Sequence, residues 1–380
     1  MKNFDFDTPV KRHNTASLKW DRYRDRDIIP LWVADMDFKS PPAVIDALHQ
    51  RVEQGVFGYG VTPDGLAEVV CAMLANRYDW HIQPEWLVWL PGLVSGLNVA
   101  CRSVGERGDG VLSLVPIYPP FLTAPQNFNR QLIRVPMLDS GSGWVMDFGM
   151  LEKSISRETR LLLLCSPHNP VGRVYSRQEL VELVSICERY NIIICSDEIH
   201  CDLILDAEKK HIPTAVACPE ASGRIITLMA PSKTFNVPGL GCSFAIISDA
   251  GLRNNFYQAM AGIVPEVNVL GLTGTLAAYR DGWEWHAALL NYLRENRRLV
   301  EQQIGTMDGL AMNHVEATYL AWIDARSIDA KSPARYFEKA GVGLSEGSEF
   351  GSPGFVRLNF GCPRPLLMQA LERMRQALAG

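Results

Sequence analysis

Short runs of consecutive apolar residues, many of them β-branched, recur through the middle of the chain. They are EWLVWL at 85–90, GVLSLV at 110–115, RLLLLC at 160–165, NIIICS at 191–196, RIITLM at 224–229 and CSFAII at 242–247. Apolar character without alternation is what the strands of a parallel sheet require when both faces are covered. Between two of these runs lies SRQELVELVSICERY, residues 176–190. Ser176 and Glu179 have the spacing of a capping box, and Leu180, Leu183, Val184, Cys187 and Tyr190 fall on one helical stripe. Strand, helix and strand in succession make a βαβ unit, so the centre predicts a layered α/β domain.

The flanks have a different pattern. The C-terminal third predicts a long helix over 283–305, then ATYLAWIDA, a shorter helix near 332–340 and the apolar GFVRLNFGCP. This mixture predicts a smaller α+β lobe. The opening segment RDIIPLWVADMDFKSPP is rich in turn formers, precedes a helix near 41–54, and is expected to pack with that second lobe. A chain of 380 residues exceeds one comfortable core. The expected division is a large α/β domain over 48–280, with 1–47 and 281–380 forming the smaller one.

Composition narrows the function classes. The apolar share of 47% supplies ample core, while a net charge of −5 and the lack of a long basic run argue against nucleic acid as partner. Nine scattered cysteines with no C-x-x-C pair predict reduced thiols, not a disulfide framework or a metal site. The start MKNFDFDTPVKRHN lacks the apolar core of a signal peptide, and no run reaches about 18 apolar residues. A soluble cytoplasmic protein without a membrane partner is expected.

Chemistry in an α/β sheet collects at the carboxyl ends of the strands. After LLLLC come His168 and Asn169 in SPHNPVG. After NIIIC come Asp197, Glu198 and His200 in SDEIHCD, after RIITLMA comes Lys233 in PSKTF, and after GVLSLV comes Tyr118 in PIYPPF. Singly, each has an ordinary reading: a lysine snorkelling to solvent, a helix-capping aspartate, a turn asparagine, a packed tyrosine. Together they put an amine, a carboxylate, an amide and an aromatic face at the ends of separate strands. LPGLVSGLNVACRSV at 90–104 adds a strand end, a glycine turn and a helix start. It is a plain turn or, through its free N–H groups, a phosphate cradle.

One cofactor suits these parts, pyridoxal 5'-phosphate. Its aldehyde takes a lysine as Schiff base, here Lys233, and its ring nitrogen takes an acidic partner, here Asp197. Asn169 is placed to donate to the ring oxygen and Tyr118 to cover the ring face.

The sequence resembles the fold-type I pyridoxal-phosphate enzymes, and within the class I/II aminotransferase superfamily it is similar to the cystathionine β-lyase or C–S lyase branch. The shared segments are KWD at 19–21, PLWVADMDF at 30–38, FGYG at 57–60, PGLVSG at 91–96, YPPF at 118–121, SPHNPVG at 166–172, SDEIHCDL at 196–203, SKTFNVPGLG at 232–241 and VRLNFG at 356–361. The resemblance implies a three-layer α/β/α large domain with a smaller α+β domain. It implies that Lys233 carries the cofactor and moves the substrate α-proton, and that Asp197, Asn169 and Tyr118 hold the ring. The backbone of Leu93 and Val94 would hold the phosphate, with Ser232 a further candidate, and Arg357 would grip the substrate carboxylate. Tyr59 would reach the phosphate of a neighbouring subunit, which implies a homodimer.

Two positions depart from the general aminotransferase pattern. His200 stands where a tyrosine directed at the cofactor is usual, and Gly241 where a phosphate-binding arginine is usual. Both resemble the C–S lyase branch and favour elimination from a sulfur amino acid such as cystathionine or another cysteine S-conjugate, giving thiol, pyruvate and ammonia. Transamination on the same scaffold, or a lyase with an added regulatory protein partner, are the alternatives.

Overall fold

All six apolar runs become strands of one seven-stranded sheet in the computed structural model, which describes residues 4–141 and 143–379. The strands are β1 (Leu87–Leu90), β2 (Gly110–Val115), β3 (Gln131–Pro136), β4 (Thr159–Cys165), β5 (Ile193–Asp197), β6 (Ile225–Met229) and β7 (Ser243–Ile246). Their order across the sheet is β1-β7-β6-β5-β4-β2-β3.

Two features differ from the sequence expectation. Strand β7 runs antiparallel to both neighbours, with Phe244 opposite Met229 and Ser243 opposite Leu90, so the sheet is mixed. Only a one-turn helix, Pro231–Thr234, and a 3-10 turn, Pro238–Leu240, separate β6 from β7. Such a link holds no crossover helix of the kind that parallel neighbours use, and β7 returns alongside β6. Its residues are buried on both faces like those of the parallel strands, which hides its direction from composition. Strand β3 escaped the pattern because it is an edge: of QLIRVP only Val135 is buried.

Alternate side chains of the strands enter two cores. Leu161 and Leu163 face the core that contains Leu97 and Ala100 of α2 (Leu93–Ser103), where α1 is Pro42–Glu53. Leu162 and Leu164 face the core with Leu180, Leu183, Val184 and Cys187 of α3 (Arg177–Arg189). This is the expected three-layer arrangement. The capping box of α3 forms as spaced, with Ser176 Oγ accepting from Glu179 N at 3.2 Å and Ser176 N donating to Glu179 Oε2 at 2.8 Å.

The smaller lobe holds an antiparallel sheet of β8 (Ala311–Met312), β9 (Leu320–Asp324), β10 (Ser345–Glu346) and β11 (Phe355–Asn359), ordered β8-β9-β11-β10. Helix α4 (Trp283–Ile304) buries Leu289, Leu293, Val300 and Ile304 in the core that receives Leu320, Ile323, Val356 and Leu358. The opening segment joins this lobe: Ile29–Pro30 pairs in parallel with Val342–Gly343, and Asn359 N donates to Leu31 O at 2.9 Å. Residue 48, the expected start of the large domain, lies within α1. Among the described residues no helix is long and apolar enough to cross a membrane.

Candidate active site

Five segments reach one cavity from the carboxyl edge of the large sheet. Asp197 ends β5, and Asn169 follows β4. Tyr118 follows β2, α2 begins at Leu93 just after β1, and Lys233 sits in the one-turn helix after β6. Arg357 enters from β11 of the smaller sheet. His200, Leu93, Val94, Ser232 and Gly241 complete the predicted set that lines this cavity.

Lys233 is half-buried and donates from Nζ to Ala34 O at 2.5 Å. Burial pushes its amine down to about 8, with Arg357 acting in the same direction and the carboxylates of Asp35 and Asp197 opposing. An amine so placed is neutral and nucleophilic in a useful fraction near physiological pH.

Arg357 is buried, and its guanidinium is held by carbonyls and a ring. Nη1 donates to Asn169 Oδ1 at 3.0 Å and Nη2 to Trp32 O at 2.8 Å, while the group lies 4.7 Å from the centre of the Phe350 ring. Among the described residues it has no carboxylate in ion-pair range, and its Nε is buried without a hydrogen-bond partner. Burial moves its proton affinity down to about 10, which leaves it charged at neutral pH. A buried cation without an anion is costly unless an anionic ligand completes it.

Asp197 is buried, and burial pushes its carboxyl up to about 7 against the hydrogen bond from Ile199 N at 3.1 Å. A cationic ring placed beside it would restore the carboxylate. His200 is also buried; burial, then the cations Lys233 and Arg357, push its imidazole down to about 3 and keep it neutral. Among the described residues its Nδ1 has no hydrogen-bond partner. The Tyr118 hydroxyl is pushed up by burial and stays protonated.

Also lining the cavity, α2 starts after Gly92 with no side-chain cap. Its first N–H groups, Leu93 to Ser95, therefore have no partner within the helix and suit an anion. Gly241 lies beside this helix start with φ of +60°, and a Cβ there would come within 3.2 Å of Pro91 O. An arginine at 241 would have to adopt left-handed backbone and crowd that carbonyl. These orphaned donors, the unpaired Arg357 and the Asp197 carboxyl fit a phosphorylated pyridine with an amino acid beside it.

Two sequence candidates lie elsewhere. His168 is buried behind the site, Nε2 bonded to Pro116 O at 2.7 Å and Nδ1 to the Tyr175 hydroxyl at 2.8 Å, and does not line the cavity. Tyr59 does not line it either: the side chain is fully exposed, near exposed Val56, Phe57 and Val61. Conversely, Ala34, Trp32, Ser345 and Tyr319 were not singled out. The Ala34 carbonyl accepts from both Lys233 and the Tyr319 hydroxyl (2.9 Å), and the Trp32 carbonyl accepts from Arg357 and Ser345 Oγ (2.7 Å). The sequence signal for Trp32 and Ala34 is the quoted segment PLWVADMDF itself.

Residues 26–374 match the family model described as aminotransferase class I and II. The chain is 35% identical to cystathionine beta-lyase PatB of Bacillus subtilis (strain 168) over 386 residues, covering 98% of this chain and 100% of that one. Among solved structures it is similar to OvoB, with a TM-score of 0.97 and 48% identity, covering 99% of this chain and 100% of that one. It is also similar to cystalysin from Treponema denticola, whose crystal structure contains a pyridoxal 5'-phosphate cofactor. There the TM-score is 0.94 at 32% identity, with 100% of this chain and 99% of that one covered. The chain belongs to the class I and II aminotransferase family of fold-type I pyridoxal-phosphate enzymes, within its C–S lyase branch.

Proposed function

We propose that the protein is a pyridoxal 5'-phosphate-dependent C–S β-lyase that cleaves L-cystathionine or a related cysteine S-conjugate. The observation that carries the reading is the buried, unpaired Arg357 facing the same cavity as an amine whose proton affinity is depressed to about 8. An α-amino acid supplies the missing carboxylate and brings its Cα–H toward Lys233. The relatives named cystathionine β-lyase and the departures at His200 and Gly241 favour elimination.

Lys233, Asp197, Asn169, Tyr118, His200, Ser232 and the N–H groups of Leu93 and Val94 would hold the cofactor. When bound, it supplies an aldehyde for covalent capture of an amine and a protonated ring that accepts electron density. Asp197 would pair as a carboxylate with the ring nitrogen and keep it protonated. Asn169 Oδ1 is engaged by Arg357, which leaves the amide NH2 as a donor. Arg357 fixes the substrate carboxylate, and Lys233, neutral in part near pH 8, takes the proton from Cα. The C–S bond electrons leave with sulfur as a thiolate, and water converts the remaining three-carbon unit to pyruvate and ammonia.

Product analysis tests this. L-cystathionine supplied alone is expected to give homocysteine, pyruvate and ammonia in equal amounts. Cysteine with 2-oxobutyrate would mean that the other C–S bond is cut. Turnover only after a 2-oxo acid is added would mean transamination.

The working unit in this reading is a homodimer in which Tyr59 serves the neighbouring site. Its full exposure, beside exposed Val56, Phe57 and Val61, is the kind of apolar patch that interfaces cover. Mixing Lys233→Ala with Tyr59→Phe chains then creates heterodimers with one site free of both changes. At limiting cofactor their activity is expected to exceed that of either parent. No gain after demonstrated subunit exchange would place Tyr59 outside the partner's site.

A further inference from the structure

The segment 30–38, PLWVADMDF, meets the two site cations through its Ala34 and Trp32 carbonyls, yet it is fastened by charges that folding alone does not require. Lys19 is fully buried and donates to Asp37 Oδ2 at 2.7 Å and to Asp35 O at 3.0 Å. Asp37 Oδ1 receives Arg12 Nη1 at 2.5 Å and Trp20 Nε1 at 2.7 Å, and Arg12 also pairs with Asp35. The Lys19 carbonyl in turn accepts from Trp32 Nε1 at 3.2 Å. Two asparagines next to the site cations hold the same segment. Asn236, three residues after Lys233, bonds Met36 N (2.9 Å), Met36 O (3.0 Å) and Phe38 O (2.8 Å). Asn359, two residues after Arg357, donates to Val33 O and Asp35 O, each at 2.7 Å.

Removing a lysine and an aspartate from water costs several kcal/mol per ion, which close pairing offsets only in part, and an apolar pair would fill such a space as stably. What charged groups add is a defined register. Here the register decides which carbonyls face the cavity: Ala34 O meets Lys233 at 2.5 Å and Trp32 O meets Arg357 at 2.8 Å.

We propose that the Arg12–Lys19–Asp37 cluster, buried at Lys19 and Asp37, is a register lock for the strap 30–38, and that Lys19, Asp37 and Asn236 are positioning residues that set Lys233 and Arg357 through the Ala34 and Trp32 carbonyls. The lock goes beyond the functional reading, because it concerns the placement of two cations whatever reaction they serve. Lys233 faces Asp35 of the strap, Asp197 of β5, Arg357 of β11 and Lys19, with His200 on the same cavity and the Tyr319 hydroxyl on its carbonyl. Burial is the largest influence on its amine, and the strap supplies part of that cover. A loosened strap admits water and returns the amine toward the ordinary lysine range.

The test labels the full chain, cleared of any bound pyridoxal phosphate with hydroxylamine, with trace acetic anhydride across a pH series and reads Lys233 acetylation by mass spectrometry. In the unaltered chain the midpoint is expected at about 8. Asp37→Asn is expected to raise it by about one unit, so that labelling at pH 8 falls about fivefold. Asn236→Gly keeps the left-handed backbone at φ of +54° and leaves the ion cluster whole, yet removes the clamp. It is expected to shift the midpoint the same way, and it decides the matter if Asp37→Asn does not fold. Hydrogen exchange of residues 30–38 is expected to accelerate in both variants while that of β6 does not. A purely structural role would lower Tm and leave the labelling midpoint unmoved. Folded variants with unchanged midpoint and unchanged exchange would overturn the lock. Neither readout involves pyridoxal phosphate or turnover, so its failure is separable from failure of the lyase reading.

Discussion

Lys233→Ala is expected to lose at least about a thousandfold in turnover, because in the proposed reading one side chain serves both as the cofactor's anchor and as the base at Cα. The variant should keep its fold. In the folded chain the amine releases its proton near 8 instead of 10.5, so between these values the unfolded chain binds more protons. Stability from this group therefore rises as pH increases through that window, and at neutral pH the buried charge is a cost that alanine removes. With both chains free of cofactor, a Tm equal to or above that of the unaltered protein is expected, with turnover abolished while added cofactor is still retained by the remaining contacts. Turnover within tenfold of the unaltered enzyme would remove Lys233 from the chemistry.

Arg357→Met is expected to lower kcat/KM by about a hundredfold or more, mostly through KM, while the cofactor's yellow absorbance is unchanged. Each hydrogen bond between a charged group and its partner contributes about 1.5–3 kcal/mol, and a guanidinium grips a carboxylate through two. Methionine keeps the apolar stem but deprives Asn169 Oδ1 and Trp32 O of their donor. Steady-state kinetics with an amino-acid substrate, beside an absorbance spectrum, checks both parts. An unchanged KM would mean that the substrate carboxylate binds elsewhere.

The difference between what could and could not be seen in the sequence has physical causes. Continuous apolar runs exposed the buried strands, and the Ser176–Glu179 spacing exposed the start of α3. Lys233, Asp197, Asn169 and Tyr118 were visible because polar residues at strand ends stand out against such runs. Arg357 was visible only through resemblance, since one arginine in a strand carries no signal until its burial is known. His168 and Asn169 are adjacent and equally polar; only the path of the turn after β4 sends one into the cavity and the other to Pro116 and Tyr175. The carbonyls of Trp32 and Ala34 were illegible for a different reason. Every residue carries a carbonyl, so residue type does not reveal which ones will face a cation.

The central claim is that Lys233 is the amine that captures pyridoxal phosphate in this cavity. Borohydride reduction of the protein mixed with the cofactor, followed by peptide mapping, tests it most directly. The account predicts loss of the yellow absorbance and a single pyridoxyl adduct, on Lys233. No adduct, or adducts spread over surface lysines with Lys233 unmodified, would contradict it.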